Sequence, residues 1–337
     1  MTGQTSTAGA EAIGRQNLRR RAALLSVLVG IVMFALKGGT FLLTNSTAIL
    51  SDALESVVHV IATGIAFYSI LLAGRPPDRR HPYGYGKAEY FSAGLEGALI
   101  VLAAIAIVYE AVHDIMDGSR LRELDLGVMA ISVAGAVNLV LGLYLIRVGR
   151  RTNSLALVAD GRHVLTDSYT SIGVLAGLIL VKFTGIALLD PLVAIGVALN
   201  IVITGYGLVR ESVRGLMNAA DPELLERTRN ILERARTPDM IAVHGLRAWG
   251  AGERLFIDFR MVLPCTMDLQ EACSVRERVQ EAISHELGDH TEVMIQFDPC
   301  RGEYCTSCPK TDCSIQEHPR TALHSYAFAI AEQEAVG

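Results

Sequence analysis

Two sets of polar residues stand inside otherwise apolar segments, and both have the spacing that places side chains on one face of a helix. Each set has members at positions i, i+3 and i+7, and the two sets are Asp52, Glu55, His59 and Asp160, His163, Asp167. Imidazole and carboxylate groups are ligands for divalent transition-metal ions, and they also carry protons. The repeated pattern therefore predicts two helices that face each other across one polar site.

The last two members of each set are four residues apart and offer two ligands from each helix. These four candidate ligands are Glu55, His59, His163 and Asp167. They match the four nitrogen and oxygen ligands of tetrahedral Zn²⁺, and two carboxylates balance the charge of the ion when the histidines are neutral. The histidines can take up protons when the ion leaves. Asp52 and Asp160 extend the same polar faces. The alternative is a set of buried hydrogen bonds that only holds the helices together.

The composition shows which elements must position these residues. The chain has 337 residues, of which 51% are hydrophobic and only 19% are charged, whereas an ordinary soluble domain has about 25% charged residues. Residues 1–209 carry a net charge of +2 and residues 210–337 a net charge of −7. These values exclude a single soluble globule, a disordered chain and a basic nucleic-acid-binding protein. All six cysteines lie at or after Cys265, which excludes a secreted fold stabilised by disulfides.

Six apolar stretches reach the length of about 20 residues that a helix needs to cross a bilayer. They are residues 22–43, 47–73, 89–112, 127–146, 155–181 and 187–208. The sequence therefore predicts an all-α membrane bundle of six transmembrane helices, with the two polar sets on the second and fifth. Lys and Arg concentrate in the leader and in alternate connections, so both termini are expected in the cytoplasm of a multi-pass protein of the bacterial inner membrane.

The last third of the chain is typical of a small soluble domain. Asp221-Pro222-Glu223 is a helix start, and the apolar patterns that follow predict the order αββαβ. The predicted elements after that first helix are strands at 241–249 and 254–263, a helix at 269–286 and a strand at 292–297. The predicted organisation is a polar basic leader (1–21), a transmembrane domain (22–209), a cytoplasmic α+β domain (210–299) and a Cys-rich tail (300–337).

The Cys-rich tail contains a second set of candidate ligands, Cys300, Cys305, Cys308 and Cys313. In a reducing cytoplasm this spacing favours metal binding over disulfides. Cys305 and Cys308 can chelate one ion, and Cys300 or Cys313 can complete a tetrahedral site. Delivery of metal to the pore, a structural zinc site and metal sensing are all compatible with the pattern, as is a tail without metal.

Over residues 20–300 the sequence resembles the cation diffusion facilitator family. The resemblance rests on the paired polar sets, on the His81–Glu89 stretch HPYGYGKAE, on six helices with cytoplasmic termini, and on an αββαβ domain that ends in Gln296-Phe297-Asp298-Pro299. It implies a homodimeric exporter of divalent metals driven by inward proton flow, with a ferredoxin-like, metallochaperone-like cytoplasmic domain. It also implies that Glu55, His59, His163 and Asp167 form the transport site.

The resemblance implies two further metal sites, and it also bears on which metal ion the transport site selects. A site in the loop before the third helix would use Asp78 and His81, although Tyr85 replaces its second histidine. A cytoplasmic site would use His244, Cys273 and Asp298, and the alternative is a dimer interface that holds by packing alone. Glu55 and His59 depart from the pair that zinc-transporting members usually have, which opens the transport site to Fe²⁺, Mn²⁺, Co²⁺ or Cd²⁺.

We therefore expect a secondary active transporter, and not an enzyme, that exports Zn²⁺ or another divalent metal in exchange for protons. Its expected partners are metal cations, protons, the lipid bilayer and a second copy of the chain, but no nucleic acid. The metal is expected as substrate and as a regulatory ligand. Two alternatives are a membrane-bound metal sensor that signals through its tail and an intramembrane metallohydrolase.

Overall fold

The first part of the chain consists of six long helices. They are α1 (Gln4–Thr44), α2 (Thr47–Ala73), α3 (Ala88–Asp117), α4 (Asp125–Arg151), α5 (Leu155–Thr184) and α6 (Leu189–Leu216). The computed structural model describes residues 4–44, 47–117, 125–186, 188–288, 290–308, 310, 313–314 and 316–318. The chain divides into two units, Met1–Met217 and Asn218–Gly337.

Four of these helices contain described stretches that are long and apolar enough to cross a membrane. The stretches are Ser56–Ala73, Ala88–His113, Val133–Arg151 and Pro191–Leu216. α1 and α5, which the sequence predicts as further spans, include side chains that lie outside the described residues. The first unit is thus a helical transmembrane domain, as the sequence predicts.

The residues predicted as a polar leader belong to the same continuous helix as the first predicted span, because α1 begins at Gln4. Arg19 of this segment is buried and pairs with the buried Glu89 at the start of α3, with 3.3 Å between Nη1 and Oε1. Arg19 also donates to the carbonyl oxygen of Thr152, and Glu89 accepts from the Ser154 hydroxyl. A buried ion pair is tolerated when such additional hydrogen bonds accompany it. This network joins α1, α3 and the connection between α4 and α5.

Glycines allow two pairs of helices to approach closely. A Cβ atom at Gly97 of α3 would lie 3.0 Å from the carbonyl oxygen of Gly205 in α6. A Cβ atom at Gly161 of α5 would lie 2.9 Å from the carbonyl oxygen of Gly142 in α4. Small residues at helix crossings are typical of membrane bundles, where close backbone packing drives association. Gly161 follows Asp160 directly, so this crossing also sets the position of the polar face of α5.

The second unit has the order αββαβ that the sequence predicts. Its elements are α7 (Pro222–Arg234), β1 (Ala242–Ala251), β2 (Arg254–Leu263), α8 (Leu269–Leu287) and β3 (Thr291–Pro299). The three strands form one sheet in the order β1-β2-β3. β1 is antiparallel to β2, and β3 is parallel to β2. The parallel pair requires a crossover connection, which α8 supplies.

Both helices of this unit begin at aspartate caps and bury one apolar face on the sheet. The Asp221 side chain accepts from the backbone N–H of Glu223 and of Leu224 at the start of α7. Asp268 and Glu271 form a reciprocal capping box at the start of α8. Residues from α7, α8 and all three strands contribute to a single apolar core around the buried Ile257.

The chain after β3 continues to pack on the sheet instead of leaving it as a separate tail. A short 3-10 helix spans Gly302–Ser307, and the backbone N–H of Cys300 donates to the Leu263 carbonyl oxygen at 2.8 Å. Cys300 and Cys308 pack against a small apolar cluster around Val262. Because β3 runs parallel to β2, the chain leaves β3 beside the end of β2, and this brings the cysteines to the same end of the sheet.

Candidate metal site

α2 and α5 bring together three of the four ligands that the sequence predicts. Ligand atoms of His59, His163 and Asp167 all lie within 4.8 Å of one another, and the three side chains are partly buried. Among the residues that the structure describes, they are the one such group of His, Cys, Asp or Glu side chains found. The side chains of Glu55 and Asp52, both on α2, lie outside the described residues.

The two histidines lie against each other at the centre of this group. Their rings are stacked with centroids 4.9 Å apart and planes inclined by 13°. His163 and Asp167 are one helical turn apart on α5, so they share a face of that helix. The arrangement presents two ring nitrogens and a carboxylate to one small volume. This is a suitable donor set for a divalent transition-metal ion.

α1 closes the site on the side of His59. A Cβ atom at Gly30 would lie 3.4 Å from Cδ2 of His59 and 3.5 Å from Cγ2 of Val60. These are ordinary van der Waals distances, so an alanine fits at this position, whereas a larger side chain would displace the ring. Gly30 therefore contributes to the position of a ligand without contributing a ligand atom.

Two buried carboxyl groups extend the polar region away from the three ligands. Asp160 lies one turn before His163 and accepts from the Thr63 hydroxyl at 3.3 Å. Glu96 of α3 is 1% exposed, interacts electrostatically with Asp160, and has no hydrogen-bond partner for either carboxyl oxygen among the described atoms. The sequence pattern did not identify Glu96, because a single glutamate in an apolar span has no spacing partner. Only the packing of α3 against α5 brings the two acids together.

In the loop between α2 and α3, both oxygens of the Asp78 carboxylate accept hydrogen bonds from the protein. Its Oδ1 atom accepts from the backbone N–H of Arg80 and of His81, both at 2.8 Å. Its Oδ2 atom accepts from the Tyr85 hydroxyl at 2.7 Å. The hydrogen bond from Tyr85 is the largest cause of the lowered pKa of Asp78, followed by that from the His81 backbone. Tyr85 thus binds the aspartate at the position where the family resemblance implies a second histidine.

The three residues predicted for the cytoplasmic site lie on three different elements, namely His244 on β1, Cys273 on α8 and Asp298 on β3. Arg260 of β2 lies opposite His244 in the strand register, and its guanidinium donates to both Asp298 oxygens at 2.8 and 3.0 Å. This hydrogen bonding raises the pKa of Arg260 above its usual value. Nε2 of His244 is 3.1 Å from the Tyr304 hydroxyl. Among the described residues of the chain, His244, Cys273 and Asp298 do not form a single group of ligands.

The cysteines after β3 lie around one cavity together with a fifth cysteine that the sequence pattern did not include. The cavity has a volume of about 390 Å³, and its lining includes Cys265, Cys300, Cys305, Cys308 and Cys313. Cys265 lies between β2 and α8, and its backbone N–H is 3.4 Å from the Cys300 sulfur. Its separation of 35 residues from Cys300 is the reason that spacing alone does not reveal it.

A helical transmembrane domain with histidine and carboxylate groups on neighbouring helices, followed by a small α+β domain, defines a class of membrane transporters for metal cations. Residues 23–217 match the family described as the cation efflux transmembrane domain, and residues 220–300 match the cytoplasmic domain of cation efflux proteins. The chain belongs to the cation diffusion facilitator family, whose members are transporters and not enzymes. It is a divalent cation efflux transporter, and the metallohydrolase alternative is excluded.

Curated relatives cover most of the chain. An uncharacterized transporter of Synechocystis sp. is 37% identical over 270 residues, which are 80% of this chain and 87% of that protein. The magnetosome protein MamB of Magnetospirillum gryphiswaldense is 28% identical over 270 residues, with 80% and 90% of the two chains covered. The manganese efflux system protein MneP of Bacillus subtilis is 24% identical over 292 residues, with 85% and 97% covered.

Proposed function

We propose that the protein exports Zn²⁺ from the cytoplasm in exchange for protons and binds the ion between α2 and α5. The observation that carries this proposal is the convergence of His59, His163 and Asp167, whose ligand atoms lie within 4.8 Å of one another. Glu55 precedes His59 by one helical turn and is the fourth proposed ligand, since residues four apart share a helix face. Asp52 and Asp160 support the polar faces on which these ligands lie.

The donor set supports a choice of ion but does not limit it to zinc. Two imidazoles and two carboxylates suit tetrahedral Zn²⁺, and the same donors accept Fe²⁺, Mn²⁺, Co²⁺ and Cd²⁺. The name of the Bacillus subtilis relative includes manganese efflux, so Mn²⁺ must be compared directly with Zn²⁺. Zinc is the proposed substrate because a histidine pair favours it over the harder manganese ion.

Proton exchange follows from the histidines in the site. A divalent ion bound by two neutral imidazoles and two carboxylates forms a neutral assembly. When the ion leaves, protons on the same ligands restore part of the lost positive charge. Metal and protons then compete for the same atoms, so that a proton gradient directed into the cell drives the ion outward.

The proposed setting is the inner membrane of a bacterial cell, with both termini in the cytoplasm and two copies of the chain in each transporter. The basic residues of the leader and of alternate connections support this orientation. The match of residues 220–300 to the cytoplasmic domain of cation efflux proteins supports both a cytoplasmic location of that domain and dimerisation through it. A metal ion bound to this domain would act as a regulatory ligand.

Transport by the purified protein in reconstituted vesicles tests the proposal. Uptake of Zn²⁺, Fe²⁺, Mn²⁺, Co²⁺ and Cd²⁺ is compared with and without an imposed pH gradient, for the unaltered chain and for Asp167→Ala. Tyr169→Phe is the matched control, because Tyr169 lies on the same helix and its side chain is 39% exposed. We expect gradient-dependent Zn²⁺ uptake that Asp167→Ala abolishes and Tyr169→Phe retains.

Three outcomes would contradict the proposal in different ways. Gradient-dependent uptake of another ion in preference to Zn²⁺ would show that Zn²⁺ is not the substrate. The proposed exchange of metal for protons would still hold. Uptake of an ion that is independent of the pH gradient would remove the proton exchange. Tight binding of ions without any uptake would favour the membrane-bound metal sensor.

A further inference from the structure

We propose that Cys265, Cys300, Cys305 and Cys308 form a thiolate site for a thiophilic divalent ion such as Zn²⁺ or Cd²⁺ at one end of the cytoplasmic sheet. This site is distinct from the transport ligands and does not depend on the metal that is transported. Its new member is Cys265, which the β2–α8 connection supplies.

Three separate segments contribute the four sulfurs. Cys265 follows β2, Cys300 follows β3, and Cys305 and Cys308 lie in and directly after the 3-10 helix. All four line the same cavity of about 390 Å³. Five of the six cysteines of the chain line this cavity, and Cys273 of α8 is the exception. Such a concentration of thiols around one cavity is not expected from packing alone, because the remainder of the core is aliphatic and aromatic.

The backbone holds these segments in place. The N–H of Cys300 donates to the Leu263 carbonyl oxygen at 2.8 Å, and the N–H of Cys265 is 3.4 Å from the Cys300 sulfur. Cys300, Tyr304 and Cys308 pack against the apolar side chains of Ile241, Ala242 and Val262. Lys310 Nζ lies 3.3 Å from Asp239 Oδ1 beyond the 3-10 helix. The segment after β3 is therefore attached to the rest of the domain both before and after Cys305 and Cys308.

The chemistry of the cavity suits a thiolate-bound ion. Four thiolates around a divalent ion form the tetrahedral Cys₄ arrangement of structural zinc sites. Such an assembly has a net negative charge, and Arg301, Lys310 and Glu317 are the charged residues that line the same cavity. Lys310 also pairs with Asp239, so Arg301 is the cation that offsets part of the charge. All six thiols are free, as a metal site in a reducing cytoplasm requires.

Binding of an ion would also tighten the cavity. Within the described residues, the cysteine sulfurs do not form a group as close as that of His59, His163 and Asp167. An ion at bonding distance from all four sulfurs would draw the 3-10 helix and Cys265 together. The site would thereby join the segment after β3 to the β2–α8 connection.

Absorption spectroscopy of the full-length protein tests the proposal, with Co²⁺ as the probe. Thiolate ligation of Co²⁺ produces a strong ligand-to-metal charge-transfer band, whereas imidazole and carboxylate ligands do not. The protein is kept reduced in detergent and carries Asp167→Ala to weaken binding at the transport site. We expect a charge-transfer band that saturates at one Co²⁺ per chain and disappears when Zn²⁺ is added.

Single substitutions identify the ligands. We expect Cys265→Ser and Cys308→Ser to lose the band, and Cys273→Ser to retain it as the matched control, since Cys273 does not line the cavity. Cys313 lines the same cavity and is the alternative fourth ligand, so Cys313→Ser should retain the band if Cys265 completes the site. Circular dichroism and gel filtration show that each variant is folded.

The same experiment can overturn the proposal. Retention of the band in folded Cys265→Ser, with its loss in Cys313→Ser, would remove Cys265 from the site. The absence of any charge-transfer band in the reduced, folded protein would show that these thiols do not bind metal. Neither result bears on export, which depends on the vesicle measurements with Asp167→Ala.

Discussion

The transmembrane bundle and the cytoplasmic domain present candidate metal ligands in two different ways. In the bundle, nitrogen and oxygen donors project from two helices, and their spacing along each helix determines that they share a face. In the cytoplasmic domain, sulfur donors come from connections, and only the packing of those connections brings them together. Imidazole and carboxylate ligands exchange protons near neutral pH, whereas thiolates hold a thiophilic ion more firmly. The proposed site in the bundle is thus suited to release of a metal ion, whereas the proposed sulfur site is suited to its retention.

The largest expected effect is the loss of transport when a histidine of the bundle is removed. His59→Ala and His163→Ala should each lower Zn²⁺ transport by at least about 100-fold, since changes to outer-shell partners alone cost roughly 10–100-fold in affinity or activity. Initial rates of uptake into vesicles measure the effect. The thiolate-to-cobalt band of the cytoplasmic domain should be unchanged in both variants, and its loss would show that the two regions are not separate.

The next effect is stabilisation of the cytoplasmic domain by metal. Zn²⁺ at 100 times its dissociation constant should stabilise that domain by up to about 2.7 kcal/mol, the value for an ion that binds the folded state alone. Thermal unfolding in detergent measures the shift, and a chelator should reverse it. The shift should persist in Cys273→Ser and be absent in Cys265→Ser; an equal shift in both variants would assign the stabilisation to a different site.

A smaller effect is expected at the helix crossing beside the transport site. Gly161→Leu should destabilise the bundle by roughly 1–3 kcal/mol through overpacking, because a Cβ atom there would lie 2.9 Å from the Gly142 carbonyl oxygen. It should also reduce transport, since Gly161 lies two residues before His163. Gly196→Ala on α6 is the control, as a Cβ atom there meets nothing within 4 Å. Equal unfolding midpoints for Gly161→Leu and the control would show that the crossing is not tight.

The smallest effect is expected in the exposed loop between α2 and α3. Tyr85→Phe removes the hydrogen bond that contributes most to the lowered pKa of Asp78. A carboxyl group with a lowered pKa in the folded state stabilises the fold above its unfolded pKa, and this contribution disappears as the pH falls through the folded value. The variant should therefore be slightly less stable than the unaltered protein at pH 7, and the difference should vanish in acid below the usual aspartate pKa of about 3.9.

Thermal unfolding at several pH values measures this difference. Tyr68→Phe, which alters an exposed tyrosine of α2, is the control and should show no pH-dependent change. A difference that grows as the pH falls would contradict the assigned role of Tyr85.

The elements of both regions could be predicted from the sequence because each has a strong local pattern. Apolar stretches of sufficient length predict the helices of the bundle, and the aspartate caps with alternating strands predict the αββαβ domain. The sequence predicts the basic leader as a segment apart from the first span, whereas α1 runs from Gln4 through both, because nothing in the leader's sequence ends a helix. The burial of Arg19 against Glu89 was equally hidden, since the two residues lie 70 positions apart.

Some of the candidate ligands could likewise be predicted from local spacing, and others could not. The sets on α2 and α5 follow from spacing, and the structure brings His59, His163 and Asp167 together. The partners of Asp78 and Asp298 did not follow from spacing, because a tyrosine hydroxyl and an arginine of a neighbouring strand bind those carboxylates. Glu96 and Cys265 were not identified, since their neighbours are distant in the sequence.

The sequence by itself determined the class of the protein, its two regions and the helix faces that carry the candidate ligands, because hydrophobicity and helical period act locally. The tertiary structure decided which polar groups meet. It stacked the rings of His59 and His163, brought Glu96 within electrostatic range of Asp160, paired Asp298 with Arg260 and placed five cysteines around one cavity. The reason is physical: each of these contacts depends on how distant segments pack, and no local preference of the chain specifies that packing.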